Sequence, residues 1–341
     1  MIEVKEIGNE SREQWNLYVR ENPFSIAWHV YEWSEVVANH YKFQFIPLAA
    51  FEGKEIVGLL PLYLSTSGQR KLISVPFAVA GGIVANEESI QTELLQAAII
   101  VSERLGNIPI TLKQYKIRVP GNLRTDENYF NLELPLQENL SALKKLINPE
   151  NTIFAQDAVD KGLKVEYPAQ DIPEFYDLLL RHSSAEGVPC TSQAWIKTLI
   201  DFGLYSAAIA RIDGVPVAGT LVKRFKKTVS FPFSCITPDV NEASLNSGYG
   251  LYWELIKRFA SEGVEIFHSG RIPKTQEALD FRLGWGGTPY PYFYQYYPNT
   301  EAETEFVTKR GLKRKLITRV WKELPLPLVR RLGPLVVSRF P

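Results

Sequence analysis

The chain has 341 residues, with 38 lysines and arginines against 38 aspartates and glutamates and so no formal net charge. That length exceeds what one hydrophobic core ordinarily serves and predicts two domains. An apolar fraction of 45% with 22% charged residues excludes disorder, and the charge balance excludes a chain that is basic throughout.

Apolar spacing predicts a helix over 31–39 with Trp33, Val36 and Val37 on one face. Residues 45–64 read as two strands turning at Glu52-Gly53, an acidic residue and glycine between apolar runs. An amphipathic helix over 89–105 and a strand region over 107–119 follow. Residues 136–162 are mostly polar, with a helix over 140–147 ending before Pro149. The second half repeats the order. A helix with Trp195, Ile196, Leu199 and Ile200 precedes a strand pair over 204–223 turning at Asp213-Gly214. A strand over 228–236, a helix over 249–262 and a short strand over 264–268 complete it. Gly53 and Gly58 lie 161 positions before Gly214 and Gly219, and Trp33 and Trp195 precede the two turn glycines by 20 and 19 residues. This is the pattern of a duplicated α/β domain, with helices flanking a mixed sheet.

Many chemistries are excluded by absence. The four histidines, His29, His40, His182 and His268, form no HExxH or HxH pair, and Cys190 and Cys235 have no metal-type spacing, so no metal is expected. GxSxG, GxxxxGK[ST] and GxGxxG are all missing, against an α/β-hydrolase, a P-loop and a dinucleotide fold. The polar, acidic start does not read as a leader, and the longest uncharged apolar stretch, 75–86, is too short to span a bilayer. The expected place is the cytoplasm.

Four segments stand out. Asn246-Ser247-Gly248-Tyr249-Gly250 enters a helix, where free N–H groups suit a phosphate or carboxylate; a plain N-terminus capped by Ser247 is the alternative. The strand at 264–268 ends in His268-Ser269-Gly270-Arg271, placing polar groups at a strand end, where α/β folds bind ligands; Arg271 in a surface ion pair is the plainer reading. Phe281-Arg282-Leu283-Gly284-Trp285-Gly286-Gly287 precedes an aromatic run over 290–297 that reads either as a pocket wall or as a strand of core tyrosines. Val75-Pro76-Phe77 with Gly81-Gly82 permits a close backbone approach or a tight turn.

In this order the segments resemble the Fem-type aminoacyltransferase family, FemAB-like and especially its exopolysaccharide-associated bacterial branch. Phe77 with Gly81-Gly82, Lys161-Gly162-Leu163, Phe175-Tyr176, Gly187-Val188-Pro189, Leu251-Tyr252-Trp253-Glu254, Phe267-His268-Ser269-Gly270-Arg271, Phe281-Arg282, Trp285-Gly286 and Leu324-Pro325-Leu326-Pro327 carry the likeness. Two positions depart from it. The family's Phe-Asp-Phe-Gly is Phe267-His268-Ser269-Gly270 here, and its basic cluster is replaced by 151–157. No coiled-coil arm is visible, which counts against a tRNA donor.

The resemblance implies an α/β fold of two tandem GNAT-like domains; with the boundary near 150 set by the polar stretch, these are 1–150 and 151–308, followed by a basic tail, 309–341. It implies N-acyl transfer to an amine on a cell-envelope glycan, peptidoglycan or exopolysaccharide precursor, from either acyl-CoA or aminoacyl-tRNA. A non-catalytic glycan- or lipid-binding assembly factor on a decayed transferase fold is the alternative. Aminolysis of an activated acyl group needs positioning and a route for one proton, not a nucleophile, so both cysteines read as structural. His268 is the candidate proton acceptor. Arg271, Arg282, Ser269, Tyr252, Trp253, Trp285, Phe77, Gly81 and Gly82 are candidate substrate contacts, and Ser247, Gly248 and Gly250 candidate donor contacts.

The charge is also uneven. Residues 309–341 hold ten basic residues (Lys309, Arg310, Lys313, Arg314, Lys315, Arg319, Lys322, Arg330, Arg331 and Arg339) and one acidic residue, Glu323. Leu312, Leu316, Ile317, Val320 and Trp321 interleave with them at helical spacing, a pattern for an anionic membrane surface or for docking on an acidic body. A peripheral place at the inner membrane face is therefore open.

Overall fold

The computed structural model describes residues 2–65, 70–239, 241–242, 244–274, 280–299 and 318–339. They form two compact units, one within 2–130 and 290–299 and the other within 131–289 and 318–338. In chain order the elements are β1 (Ile2–Glu6), α1 (Arg12–Glu21), α2 (Glu32–His40), β2 (Phe43–Glu52), β3 (Glu55–Ser65), β4 (Lys71–Ile73), β5 (Val84–Ala85), α3 (Glu88–Arg104), β6 (Ile110–Tyr115) and β7 (Arg124–Pro135). Then come α4 (Leu140–Lys144), α5 (Pro149–Asp160), β8 (Lys164–Glu166), α6 (Ile172–Glu186), α7 (Gln193–Asp201), β9 (Ser206–Ile212), β10 (Val215–Phe225), β11 (Thr228–Ser230) and β12 (Cys235–Ile236). The chain closes with α8 (Ser247–Ser261), β13 (Ile266–His268), β14 (Ile272–Pro273), α9 (Asp280–Leu283), β15 (Thr288–Tyr297) and α10 (Leu326–Val337).

Within the first unit the strand order is β1-β2-β3-β4-β6-β15, with β5 on β3. Within the second it is β8-β9-β10-β11-β13 with the end of β7, and β12 lies on β10. Each unit therefore runs through the same succession: a strand, two helices, a hairpin, two short strands, a helix and a parallel strand, with a further antiparallel strand beside the last one. That further strand comes from outside the succession in both: Tyr292–Tyr297 of β15 pair with Ile110–Tyr115 in the first unit, and the end of β7, which precedes β8, pairs with β13 in the second. The aromatic run at 290–297 thus lies largely within a strand.

At the two hairpins the sequence match is offset by one residue. Glu52 pairs with Glu55 around Gly53-Lys54, whereas Ile212 pairs with Val215 around Asp213-Gly214. The two turn glycines therefore occupy different turn positions. Gly58 faces Ile90 and Leu94 of α3, whereas Gly219 faces Phe175 of α6. Shifting a strand by one residue exchanges its faces, so the matched glycines serve opposite layers.

Local chemistry explains the helix limits. Asp171 caps α6, accepting from Glu174 N at 2.9 Å, and Gly187 ends it in the left-handed region at φ 70°. Ser192 caps α7 through Trp195 N. Pro149 opens α5 under an Asn148 cap, since proline's missing N–H has no partner in a first turn anyway. The strand expected over 228–236 breaks after Ser230 and resumes at Cys235. Pro232 in the break has no N–H for a ladder, and Phe233 takes φ 57°. The second unit's core places Leu134, Val229, Phe267, Tyr252, Trp253, Phe259 and Trp285 in one cluster.

Of the tail, Lys309, Arg310, Leu312, Lys313, Arg314, Lys315, Leu316 and Ile317 lie outside the described residues. Residues 318–338 belong to the second unit. Trp321 and Val329 are buried, and a Cβ on Gly333 would stand 2.4 Å from the Cys190 carbonyl oxygen. Arg330 pairs with Asp177 of α6 and lies over the Tyr176 ring. No helix among the described residues is long and apolar enough to cross a membrane.

Candidate active site

The short strand β13 is the spine of the site. Its alternation sends Phe267 into the core and His268 to the opposite face. Strand register then assembles a polar row on His268's face. Lys223 of β10 stands opposite Ser230 of β11, Ser230 opposite His268, and His268 opposite Glu133 of β7. Directly opposed residues share a face with their Cβ atoms about 5 Å apart. Four strands thus bring an amine, a hydroxyl, an imidazole and a carboxylate into one line.

His268 Nε2 lies 3.0 Å from Glu133 Oε1, with side-chain exposures of 21% and 9%. A carboxylate at one ring nitrogen orients an imidazole. Lys223 is 4% exposed, with Nζ 5.4 Å from the Tyr205 ring centroid, and burial pushes its ammonium well below the usual lysine range.

The row sits where two parallel strands part. β11 and β13 pair only over Thr228–Ser230 and Ile266–His268. Beyond that point each chain turns to its outer neighbour: Leu221 N donates to Pro232 O, while Ser269 N donates to Leu132 O. Leu132 N also donates to Ser269 Oγ at 3.0 Å, and Gly270 N to Asn131 Oδ1 at 2.9 Å. In the first unit the corresponding strands β4 and β6 pair over Leu72–Ile73 and Ile110–Thr111, but the chain after β4 stays attached. Ser74 N donates to Thr111 O, Lys113 N to Ser74 Oγ, and Gly81 N to Lys113 O. Lys113 Nζ donates to the carbonyls of Val75 and Ala78.

The other sequence candidates are placed as follows. Tyr252, Trp253 and Trp285 are 5%, 3% and 0% exposed and lie in the core with Phe267, on the side of β13 away from His268. The Tyr252 hydroxyl is 2.7 Å from Ser234 Oγ, and its ring stacks on Trp285 at 5.7 Å. Arg282 Nη1 donates to the Arg271 carbonyl at 2.8 Å, tying α9 to the loop after Ser269. At the start of α8, Ser247 is buried, and a Cβ on Gly250 would meet Ala158 of α5 at 2.9 Å. Gly248 is more open. Asn246 Nδ2 donates to Asp157 Oδ2 at 2.7 Å, and this bond with that of Lys161 holds the Asp157 carboxyl below its usual range. Phe77, Gly81 and Gly82 lie in the first unit, where Phe77 takes φ 60° and stacks on Tyr41 at 4.0 Å. Gly82's carbonyl is 3.0 Å from His29 Nε2. Both cysteines are buried and free; burial pushes the Cys190 thiol up to about 11 and the Cys235 thiol higher still.

Sequence reasoning missed Glu133, Asn131, Ser230 and Lys223. A signal existed for Lys223: adjacent charges at Lys223-Arg224 cannot both face water from a strand whose faces alternate. Among the described residues no group of three or more His, Cys, Asp or Glu side chains converges as a metal site would need.

No family model and no curated protein matches the sequence. Solved structures do share the fold. FemX aligns with a TM-score of 0.68 at 11% identity, covering 87% of this chain and 98% of that one. L-PGS from Bacillus licheniformis aligns at 0.54 and 12% identity, covering 94% and 99%. The tandem GNAT protein from the clavulanic acid biosynthesis pathway aligns at 0.53 and 12%, covering 86% and 98%. The chain shares the fold of these three structures.

Proposed function

We propose that the protein is an N-acyltransferase whose chemistry resides in the second unit. A neutral amine attacks the carbonyl carbon of an activated ester or thioester; the C–N bond forms, the C–O or C–S bond breaks, and the amine proton passes to His268. The leaving alkoxide or thiolate takes up that proton from the imidazolium, directly or through solvent, so His268 returns to its starting form. The carrying observation is the parting of β11 and β13 at Ser230 and His268, with Glu133 seated on the imidazole. Beyond the fork Gly270 N and Ser269 N turn towards β7, so the strand leaves its partner where a donor carbonyl would lie. In the first unit the corresponding fork is bridged by residues 74–81, which supports assigning donor binding to the second.

We read the two units as tandem GNAT-like domains, a reading supported by their common strand order. The donor is acyl-CoA or an aminoacyl-tRNA. The acceptor is an amine on a glycan or lipid-linked precursor of the cell envelope, and the reaction takes place in the cytoplasm or at the inner membrane face. The lipid-directed part of this reading draws support from the likeness to L-PGS.

The test is a thermal-shift comparison of the full chain with acetyl-CoA, an aminoacyl-tRNA and a sugar nucleotide. A donor that binds the native state raises Tm. With that donor, His268→Ala is expected to slow acyl transfer to amine-bearing acceptors about a hundred-fold, the scale of a lost proton acceptor. Transfer at an unchanged rate would remove His268 from the mechanism. Stabilisation by the sugar nucleotide alone would favour the glycan-binding alternative.

A further inference from the structure

Membrane attachment and docking on the body first read as rival fates for the basic tail. The structure removes the rivalry, because α10 has two faces. One holds Val329 and Gly333, both buried, with Arg330 clamped to Asp177 of α6. The other carries Leu328, Leu332 and Leu335, which are 44%, 37% and 61% exposed. At 100° per residue these three leucines fall within about 60° of arc, and Arg331 borders them. Leu326 and Val320 are exposed as well, at 39% and 58%. Leaving several large apolar side chains in water on one helix face is unfavourable unless something covers them.

We propose that this leucine face of α10 is a docking surface for an anionic lipid bilayer, presented by a helix that the second unit holds rigidly in place. The charge selects the occupant. Within 318–338 the residues Arg319, Lys322, Arg330 and Arg331 face a single acidic residue, Glu323, and Arg330 is already paired. The sequence just before adds Lys309, Arg310, Lys313, Arg314 and Lys315 with no acidic residue among 309–317. Apolar side chains flanked by cations match the acyl and headgroup layers of an anionic membrane. A second copy of the chain is the worse fit, since it would bring like charges together. The assignment revises the apolar face read from sequence. Trp321 is a buried anchor, and the bilayer residues are Leu328, Leu332 and Leu335. It also stands independently of the acyl-transfer reading.

The experiment is co-sedimentation of the full chain with phosphatidylcholine vesicles, with and without phosphatidylglycerol at roughly a third of the lipid. The expected result is pelleting with the anionic vesicles only, weakened by salt. The triple variant Leu328→Ser, Leu332→Ser, Leu335→Ser is expected to lose binding about ten-fold or more at unchanged Tm, because only exposed side chains change. Should the triple variant fold poorly, Arg331→Glu serves instead and is expected to lose binding about five-fold. Equal pelleting of a folded variant and the parent overturns the proposal. So does a parent that ignores anionic vesicles, or a dimer, seen by light scattering, that the leucine substitutions dissolve.

Discussion

Replacing Gly287 with alanine probes the packing that seats Glu133. A Cβ on Gly287 would stand 2.6 Å from the carbonyl carbon and oxygen of Glu133 and 2.8 Å from Leu134 N, and φ there is +107°. All three neighbours are backbone atoms, so no side chain can swing aside. The conformation costs an L residue about 1–3 kcal/mol, and forcing a methyl into filled space costs about 1–3 kcal/mol more. Alanine's smaller unfolded-state entropy offsets about 0.4–1 kcal/mol. The net loss is about 1–6 kcal/mol, which for a unit of this size lowers Tm by about 2–20 °C. Gly263→Ala is the matched control: φ is +73°, but nothing lies within 4 Å of the added carbon. It carries only the left-handed strain of about 1–2 kcal/mol. Calorimetric melts of the two variants beside the parent measure both. Equal shifts, or an unchanged melt for Gly287→Ala, would show that contact with the Glu133 backbone contributes nothing and refute the packing argument.

Two further outcomes follow from burial. Lys223 has a native pKa below its unfolded value, so between the two the unfolded chain binds more protons and stability rises with pH. Lys223→Met is therefore expected to be more stable than the parent at neutral pH and to lose much of the rise seen on going to pH 9.5; parallel urea midpoints at both pH values would contradict it. Cys190, whose thiol is pushed up to about 11, and Cys235, pushed higher, should resist a thiol reagent in the native chain at neutral pH and react fully once unfolded. Stoichiometric labelling of folded protein would show a thiol more accessible than the structure gives.

The proposed site contains a carboxylate that the sequence motif does not. His268 stands where the resembling family has an aspartate, so the motif alone lacks a carboxylate. The structure supplies one from Glu133, far away in sequence, through antiparallel pairing of β7 with β13. A carboxylate provided across a strand pair leaves no trace in local spacing.

What the sequence determined by itself was whatever depends on neighbours a few residues apart. The hairpins at Glu52-Gly53 and Asp213-Gly214, the helix entered at Ser247 and the strand ending at His268 all rest on short-period apolar alternation and turn chemistry, which act locally. The match between the two hairpins was legible for the same reason, though one residue out of register. Only the tertiary structure decided which strands lie side by side. Pairing chose β15 to complete the first unit, aligned Lys223, Ser230, His268 and Glu133 across four strands, and assigned Tyr252 and Trp285 to the core side of β13. The reason is physical: alternation leaves two possible faces for every strand, and only contacts between distant segments select the one that is buried.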